Sequence, residues 1–290
     1  MFHVEHSSEN MAKIIAICNQ KGGVGKTTTA INIAAYLAIS SKRTLLIDTD
    51  PQGNATSGLG VNKNGVKTSI YDILVEEADP RSAIVKTAID GLSLIPSNLS
   101  LTGAEVELVS VMRREYRLKK ALEGIRQDYD YIIIDCPPSL GLITINALTA
   151  AGSVLIPIQC EYYALEGLGQ LVSTIDLVRK NINPDLVVEG VLLTMADFRT
   201  NLTTEVINEA RTYFKEKVYN TVIPRNIRIT ESPGFGKPIA LYDKASIGAI
   251  KYRDLTNELL GVKKEISTQN IETIVHNTLA DNNLTEVKGG

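Results

Sequence analysis

The chain has 290 residues, 44% of them hydrophobic, and a formal net charge of −3. That is enough apolar material to bury a sizeable core in one large domain, or two at most. The charge excludes a global attraction for nucleic acid, so any such binding has to come from a local patch, and no apolar stretch approaches the roughly 20 residues of a bilayer span.

Taken in chain order, the first ten residues carry His3, Glu5, His6 and Glu9 without the basic start and apolar core of a secretory signal. Export is not expected, and residues 1–11 read as a flexible extension. Residues 1–6, Met-Phe-His-Val-Glu-His, can be encoded by a perfect inverted repeat, ATG TTC CAC GTG GAA CAT. From there, apolar β-branched runs predict strands over 13–18, 44–48, 92–96, 131–135, 154–158, 187–194 and 218–223. Helix-period patterns fall between them at 27–39, 114–126, 142–151, 167–180, 202–214 and 247–260. Such alternation predicts one doubly wound α/β domain with a mainly parallel sheet, occupying 12–261. Beyond it the chain turns polar and aperiodic, so 262–290 reads as a weakly ordered tail. Cys18, Cys136 and Cys160 are odd in number and lie in or beside strand-like runs, which predicts reduced buried thiols.

In a doubly wound sheet, ligands sit beyond the carboxyl ends of the strands. The first such loop reads Lys21, Gly22, Gly23, Val24, Gly25, Lys26, Thr27, Thr28 and runs from a strand into a helix, the context a phosphate-binding P-loop requires. Its glycines let backbone N–H groups close around phosphate oxygens, and the helix N-terminus adds partial positive charge. Lys26 is placed to reach the β- and γ-phosphates of ATP, and the Thr27 hydroxyl to ligand Mg²⁺. Asp48 and Asp135 each end an apolar strand, which predicts two carboxylates beside the metal. Lys21 is surplus to gripping one subunit's phosphates and so is free for another task.

Residues 19–28, the run Asp48-Thr49-Asp50-Pro51-Gln52-Gly53-Asn54 and the run Asp135-Cys136-Pro137-Pro138-Ser139 resemble the three nucleotide motifs of the ParA (Soj-type) partition ATPases, a deviant Walker A family of P-loop NTPases. The likeness continues through 161–167 and Ile223-Pro224-Arg225-Asn226 to Gly236-Lys237-Pro238, covering roughly residues 12–260. In that family the lysine at the position of Lys21 crosses a homodimer interface to the partner's phosphates, so two ATP molecules are sandwiched and ATP glues the dimer. The resemblance implies a catalytic set of Lys21, Lys26 and Asp50, with Asp50 orienting the attacking water and Thr27, Asp48 and Asp135 on the metal side. It also implies that Gln52 and Asn54 support the γ-phosphate side, that Pro137, Pro138 and Ser139 form a switch loop, and that Thr194, Met195, Pro224 and Arg225 line the adenine.

Between 225 and 253 there are six basic residues against two acids, an excess of four positive charges that suits sequence-independent phosphate contacts. The family implies nonspecific double-stranded DNA binding by the ATP dimer through Arg199, Arg225, Arg228, Lys237, Lys244 and Lys251, hence a cytoplasmic, nucleoid-associated protein with no membrane partner. It further implies a ParB-like centromere-binding partner that stimulates slow hydrolysis. The family's centromere sites resemble the inverted repeat at the N-terminus, which makes residues 1–6 a candidate translated DNA site and Met11 a candidate start. The competing expectation is a MinD-like membrane-associated cell-division ATPase. It requires a basic amphipathic tail, whereas here Lys263, Lys264 and Lys288 are offset by Glu265, Glu272, Asp281 and Glu286.

Overall fold

The computed structural model describes residues 11–162 and 168–262. Seven strands, β1 (Lys13–Ile17), β2 (Thr44–Asp48), β3 (Val85–Lys86), β4 (Leu92–Ile95), β5 (Tyr131–Asp135), β6 (Ser153–Gln159) and β7 (Val187–Thr194), form one sheet in the order β3-β4-β2-β5-β1-β6-β7. Every pairing is parallel except that of β3 with β4. A parallel sheet is covered on both faces, which is why its strands are nearly continuous apolar runs. All five residues of β2 and four of five in β1 and β5 are buried.

The helices are α1 (Lys26–Ile39), α2 (Asn54–Gly58), α3 (Ile70–Val75), α4 (Pro80–Ala83), α5 (Leu101–Glu107), α6 (Arg117–Glu123), α7 (Leu142–Ala150), α8 (Leu168–Asn181), α9 (Asn201–Phe214), α10 (Ile227–Glu231), α11 (Ile239–Tyr242) and α12 (Ile247–Leu259). Helix α1 is buried almost all round, since Ala30, Ala34 and Ala35 allow close approach while Ile31, Ile33 and Leu37 fill the space between. Each fully buried aliphatic side chain of this kind contributes about 1.5–3 kcal/mol of transfer free energy.

Contacts divide the chain into Met1–Thr256 and Asn257–Gly290. In the described part of the second unit the helix closes at Gly261, whose φ of 70° lets the Val262 N–H reach the Asn257 carbonyl at 2.9 Å. The tail expected from 263 onward and the extension over 1–10, with its inverted repeat, lie outside the described residues, as do 163–167 within the fourth family run.

Two expectations are corrected. Residues 218–223 are not a strand. They are joined to their neighbours by single parallel bridges, Val191 with Val218 and, just beyond, Ala196 with Pro224, with polar Asn220 and Thr221 interrupting the apolar run between the Tyr219 and Ile223 N–H groups, which bond to the Val191 and Leu193 carbonyls. The helix expected over 114–126 is broken into a 3₁₀ turn at Arg114–Tyr116, α6, and a second 3₁₀ turn at Arg126–Asp128. Arg113 in the left-handed region at φ 55° sets its start, and Gly124 caps α6.

Candidate nucleotide site

The register Ile17 to Asp135 and Asp48 to Asp135 brings the carboxyl ends of β1, β2 and β5 level, so the three motif loops leave the sheet side by side. Between β1 and α1 the chain turns through Gly23 at φ 75° and Gly25 at φ 87°, conformations that side-chain-bearing residues rarely adopt. A Cβ at Gly22 or Gly23 would meet nothing within 4 Å, so the loop surrounds open space. Gly25 offers α1 no side-chain cap, which leaves the first N–H groups of the helix for an anion.

Neighbouring strand ends hold the loop in shape. The Asn19 amide donates to the Pro157 carbonyl at 2.7 Å, and its oxygen accepts from the Lys21 N–H at 3.0 Å. The Thr194 hydroxyl, at the end of β7, donates to the Val24 carbonyl at 2.9 Å. Lys26 is 6% exposed and its ammonium donates to the Lys21 carbonyl at 2.9 Å. Burial pulls its pKa down, opposed mainly by the charge of Asp135.

Beside the loop stand the acids, and the structure gives them different surroundings. Asp48 is buried with both oxygens engaged: one accepts from the Thr56 N–H at 2.8 Å and hydroxyl at 2.7 Å, the other from the Asp50 N–H at 3.1 Å. Asp48 thereby anchors the start of α2. Asp135 is equally buried, and neither oxygen makes a hydrogen bond of good geometry, the Thr27 hydroxyl standing close by without satisfying them. Burial first, then the charge of Asp48, pushes its carboxyl well above the ordinary range, while the Thr27 hydroxyl and the Lys26 charge act against this. Two buried, unpaired carboxylate oxygens close to a hydroxyl form a donor set that fits a hard cation such as Mg²⁺, which takes few protein ligands and fills its sphere with phosphate and water. Asp50 is 8% exposed and accepts from the Gln52 N–H at 2.9 Å.

This acid pair has a consequence for stability. Burial raises the Asp48 carboxyl from 3.8 to about 6, so the folded chain holds a proton that the unfolded chain releases. That contribution is complete below about pH 4 and lost as pH rises through about 6. The melting temperature of the nucleotide-free protein is therefore expected to fall between about pH 5 and about pH 7, and to fall less in Asp135→Asn, which removes one of the two groups. Scanning calorimetry at both pH values checks the difference.

Next to the loop is a cavity of about 240 Å³ lined by Gly25, Thr28, Thr194, Met195, Pro224 and Arg225. All six were singled out in the sequence, and the fold brings them together. Met195 holds a left-handed backbone, φ 52°, to enter its wall. Ile223, Asn226, Ile229, Thr230, Pro233 and Tyr252 complete the lining and had been given no role there. The signal for Asn226 was present, since it caps α10 by accepting from the Ile229 N–H, but Tyr252 comes from a helix far along the chain. Gln52 and Asn54 are exposed, with the Gln52 carbonyl taking a 2.6 Å bond from Lys63. Pro137 is buried, while Pro138 and Ser139 are exposed.

Lys21 has a partner within its own chain. Its half-exposed ammonium forms an ion pair with Glu161, a residue that lies within the fourth family run yet was given no role. The DNA candidates are also partly engaged. Arg199 forms a two-pronged pair with Asp197, which holds that carboxyl down at about 2, and Arg228 pairs with Glu231 and Asp243. Arg225, Lys237, Lys244 and Lys251 make no ion pair among the described residues, and Arg225 belongs to the wall of the cavity. The three cysteines are free and buried, with the Cys18 and Cys136 sulfurs 2.9 Å apart at the ends of β1 and β5. No helix among the described residues is long and apolar enough to cross a membrane.

Comparison with known proteins gives this geometry a context. A family described as an AAA domain matches residues 12–188. The chain is 62% identical to the sporulation initiation inhibitor protein Soj of Bacillus subtilis over 249 residues, which is 86% of this chain and 98% of that one. It is 55% identical to the chromosome partitioning protein ParA of Myxococcus xanthus over 256 residues, 88% of this chain and 90% of that one. Among solved structures it is similar to cobyrinic acid a,c-diamide synthase from Mycobacterium smegmatis with bound ADP and magnesium, at 40% identity and a TM-score of 0.76 over 86% of this chain and 94% of that one.

Proposed function

The chain belongs to the Soj/ParA family of chromosome-partitioning P-loop ATPases, and on that premise we propose that it is an ATP-dependent DNA-partitioning switch. ATP binds on the loop from Lys21 to Thr28, with its base in the cavity walled by Met195 and Pro224. Binding closes two copies face to face, the dimer holds DNA without regard to sequence, and slow hydrolysis, stimulated by a ParB-like centromere-binding protein, releases it. The observation that carries this reading is the division of labour between two lysines on one loop. Lys26 is buried and folded back on its own loop, while Lys21 stands half-exposed at the rim, paired with the Glu161 carboxylate.

The residues have distinct tasks in this scheme. Lys26 and the N–H groups of the glycine loop grip the phosphates. Thr27 and Asp135 hold the cation, and Asp48 keeps α2 in place beside them. Magnesium, when bound, neutralises charge that builds on the phosphoryl oxygens. Asp50, fixed by the Gln52 N–H, orients the attacking water. Dimerisation doubles the phosphate contacts along one duplex, so ATP sets DNA affinity through avidity.

Asp50→Ala is expected to bind ATP, hydrolyse it at least about 100-fold more slowly, and remain a dimer on DNA where wild type dissociates. Mass by light scattering and DNA affinity by anisotropy, each with ADP and with ATP, test this. Equal DNA affinity in both nucleotides would sink the switch. Adding Arg228→Glu should abolish the salt-sensitive DNA binding of the ATP state; if it survives, the basic patch is misplaced.

A further inference from the structure

A second concentration of positive charge lies far from the basic segment after 225. Between residues 112 and 126 the chain carries Arg113, Arg114, Arg117, Lys119, Lys120 and Arg126 against Glu115 and Glu123. In the fold, Glu77 reaches into this group from just beyond α3. Its carboxylate accepts from Arg117 at 2.5 Å and Lys120 at 2.7 Å. Two recesses of about 260 and 690 Å³ share Glu77, Arg117 and Lys120 as lining, and the larger is completed by Met112, Arg113, Tyr116, Lys119 and Glu123, so its lining carries four cations against two carboxylates.

Three features of the larger recess point to a ligand. Arg113 and Lys119 have no side-chain partner among the described residues, so two cations stand unclaimed beside an occupied carboxylate position. Met112 is 89% exposed, a large apolar side chain presented to solvent beside them. Glu77 and Arg113 both hold left-handed backbone at φ 55°, a costly conformation for residues with side chains and one that clusters at binding sites. The position of Glu77 demonstrates that a carboxylate fits between Arg117 and Lys120. A duplex presents its phosphates on a convex ribbon and has no use for an apolar anchor in a recess, whereas acidic peptide motifs combine both elements.

We propose that this recess docks an acidic peptide segment with an apolar anchor, carried by a protein partner. Its carboxylates take Arg113 and Lys119 and compete with Glu77 for Arg117 and Lys120, while the anchor packs on Met112 and Tyr116. None of these residues touches the nucleotide site, so the docking surface stands or falls independently of the switch.

The test is selection of a random 12-residue phage-displayed peptide library on the full chain, followed by anisotropy with the enriched peptide. The expected winners pair Asp or Glu with Leu, Ile or Phe. Their affinity should drop at least tenfold in Arg113→Glu/Lys119→Glu and several-fold in Met112→Ser, and rise several-fold in Glu77→Gln, with basal ATPase unchanged in all three. The opposite sign expected for Glu77→Gln separates loss of a site from loss of folding. Enrichment of basic or uncharged peptides, or acidic peptides indifferent to these variants, overturns the proposal. So does displacement of the peptide by short duplex DNA at matching affinity, which would make this a nucleic-acid surface, or loss of self-association in Arg113→Glu/Lys119→Glu, which would make it a contact between copies.

Discussion

Lys21→Ala is expected to bind ATP within a few-fold of wild type, to stay monomeric when ATP is added, and to lose turnover by a factor on the order of 10³. A cation supplied across an interface to a transferring phosphoryl group is worth about 10³–10⁵ in rate. The prediction separates the two lysines, because the in-subunit grip is the role proposed for Lys26, buried at 6% exposure and bonded to the Lys21 carbonyl, which the alanine variant retains. Among the described residues the Lys21 ammonium pairs with Glu161, and its side chain is 40% exposed. A pair that open to solvent contributes at most about 1 kcal/mol, so leaving it for a partner's phosphates costs little. Glu161→Gln should accordingly dimerise at equal or lower ATP concentration than wild type. Sedimentation velocity with and without ATP, beside phosphate release, reads both variants. A Lys21→Ala protein that pairs and turns over normally leaves the sandwich without its defining contact.

Asp135→Asn should move stability and activity in opposite directions. Both oxygens of this carboxylate are buried without a hydrogen bond of good geometry, and Asp48 faces it across the β2–β5 register, so the charged form is strained in the nucleotide-free protein. Removing the charge at nearly constant shape relieves the cost of holding an ionised carboxylate in a buried site beside Asp48. For a chain of this size each kcal/mol so relieved corresponds to a rise in melting temperature of roughly 2–4 °C. The same change deletes the anionic donor proposed for the cation, and Mg²⁺-dependent hydrolysis is expected to fall at least about 100-fold. Calorimetry on the nucleotide-free protein and a magnesium titration of turnover measure the two arms. If the variant melts lower than wild type and keeps its magnesium response, the orphaned carboxylate is not a cation site.

How legible the molecule was depended on the range of each signal. The long parallel strands and α1, α8, α9 and α12 announce themselves through buried periodicity, and so did the P-loop, whose glycines and lysines are contiguous. The antiparallel strand Val85–Lys86 is two residues long and below any period. Helices α2 to α5, α10 and α11 span four to seven residues each and are held by caps and tertiary contact, as where the capping box of Ser69 and Asp72 starts α3. The nucleotide wall was legible where residues follow strand ends, as with Thr194 and Pro224, and illegible where a distant helix contributes Tyr252. The ion pair between Lys21 and Glu161 joins positions 140 apart, and no local pattern encodes it. The unequal partnering of Asp48 and Asp135 was equally hidden, since both read simply as strand-end acids.

The hydroxyl of Thr194 closes one wall of the cavity and at the same time fastens the Val24 carbonyl of the glycine loop. One side chain therefore belongs to two compartments. Whatever seats itself against Met195 bears on the same side chain that holds the cradle in shape.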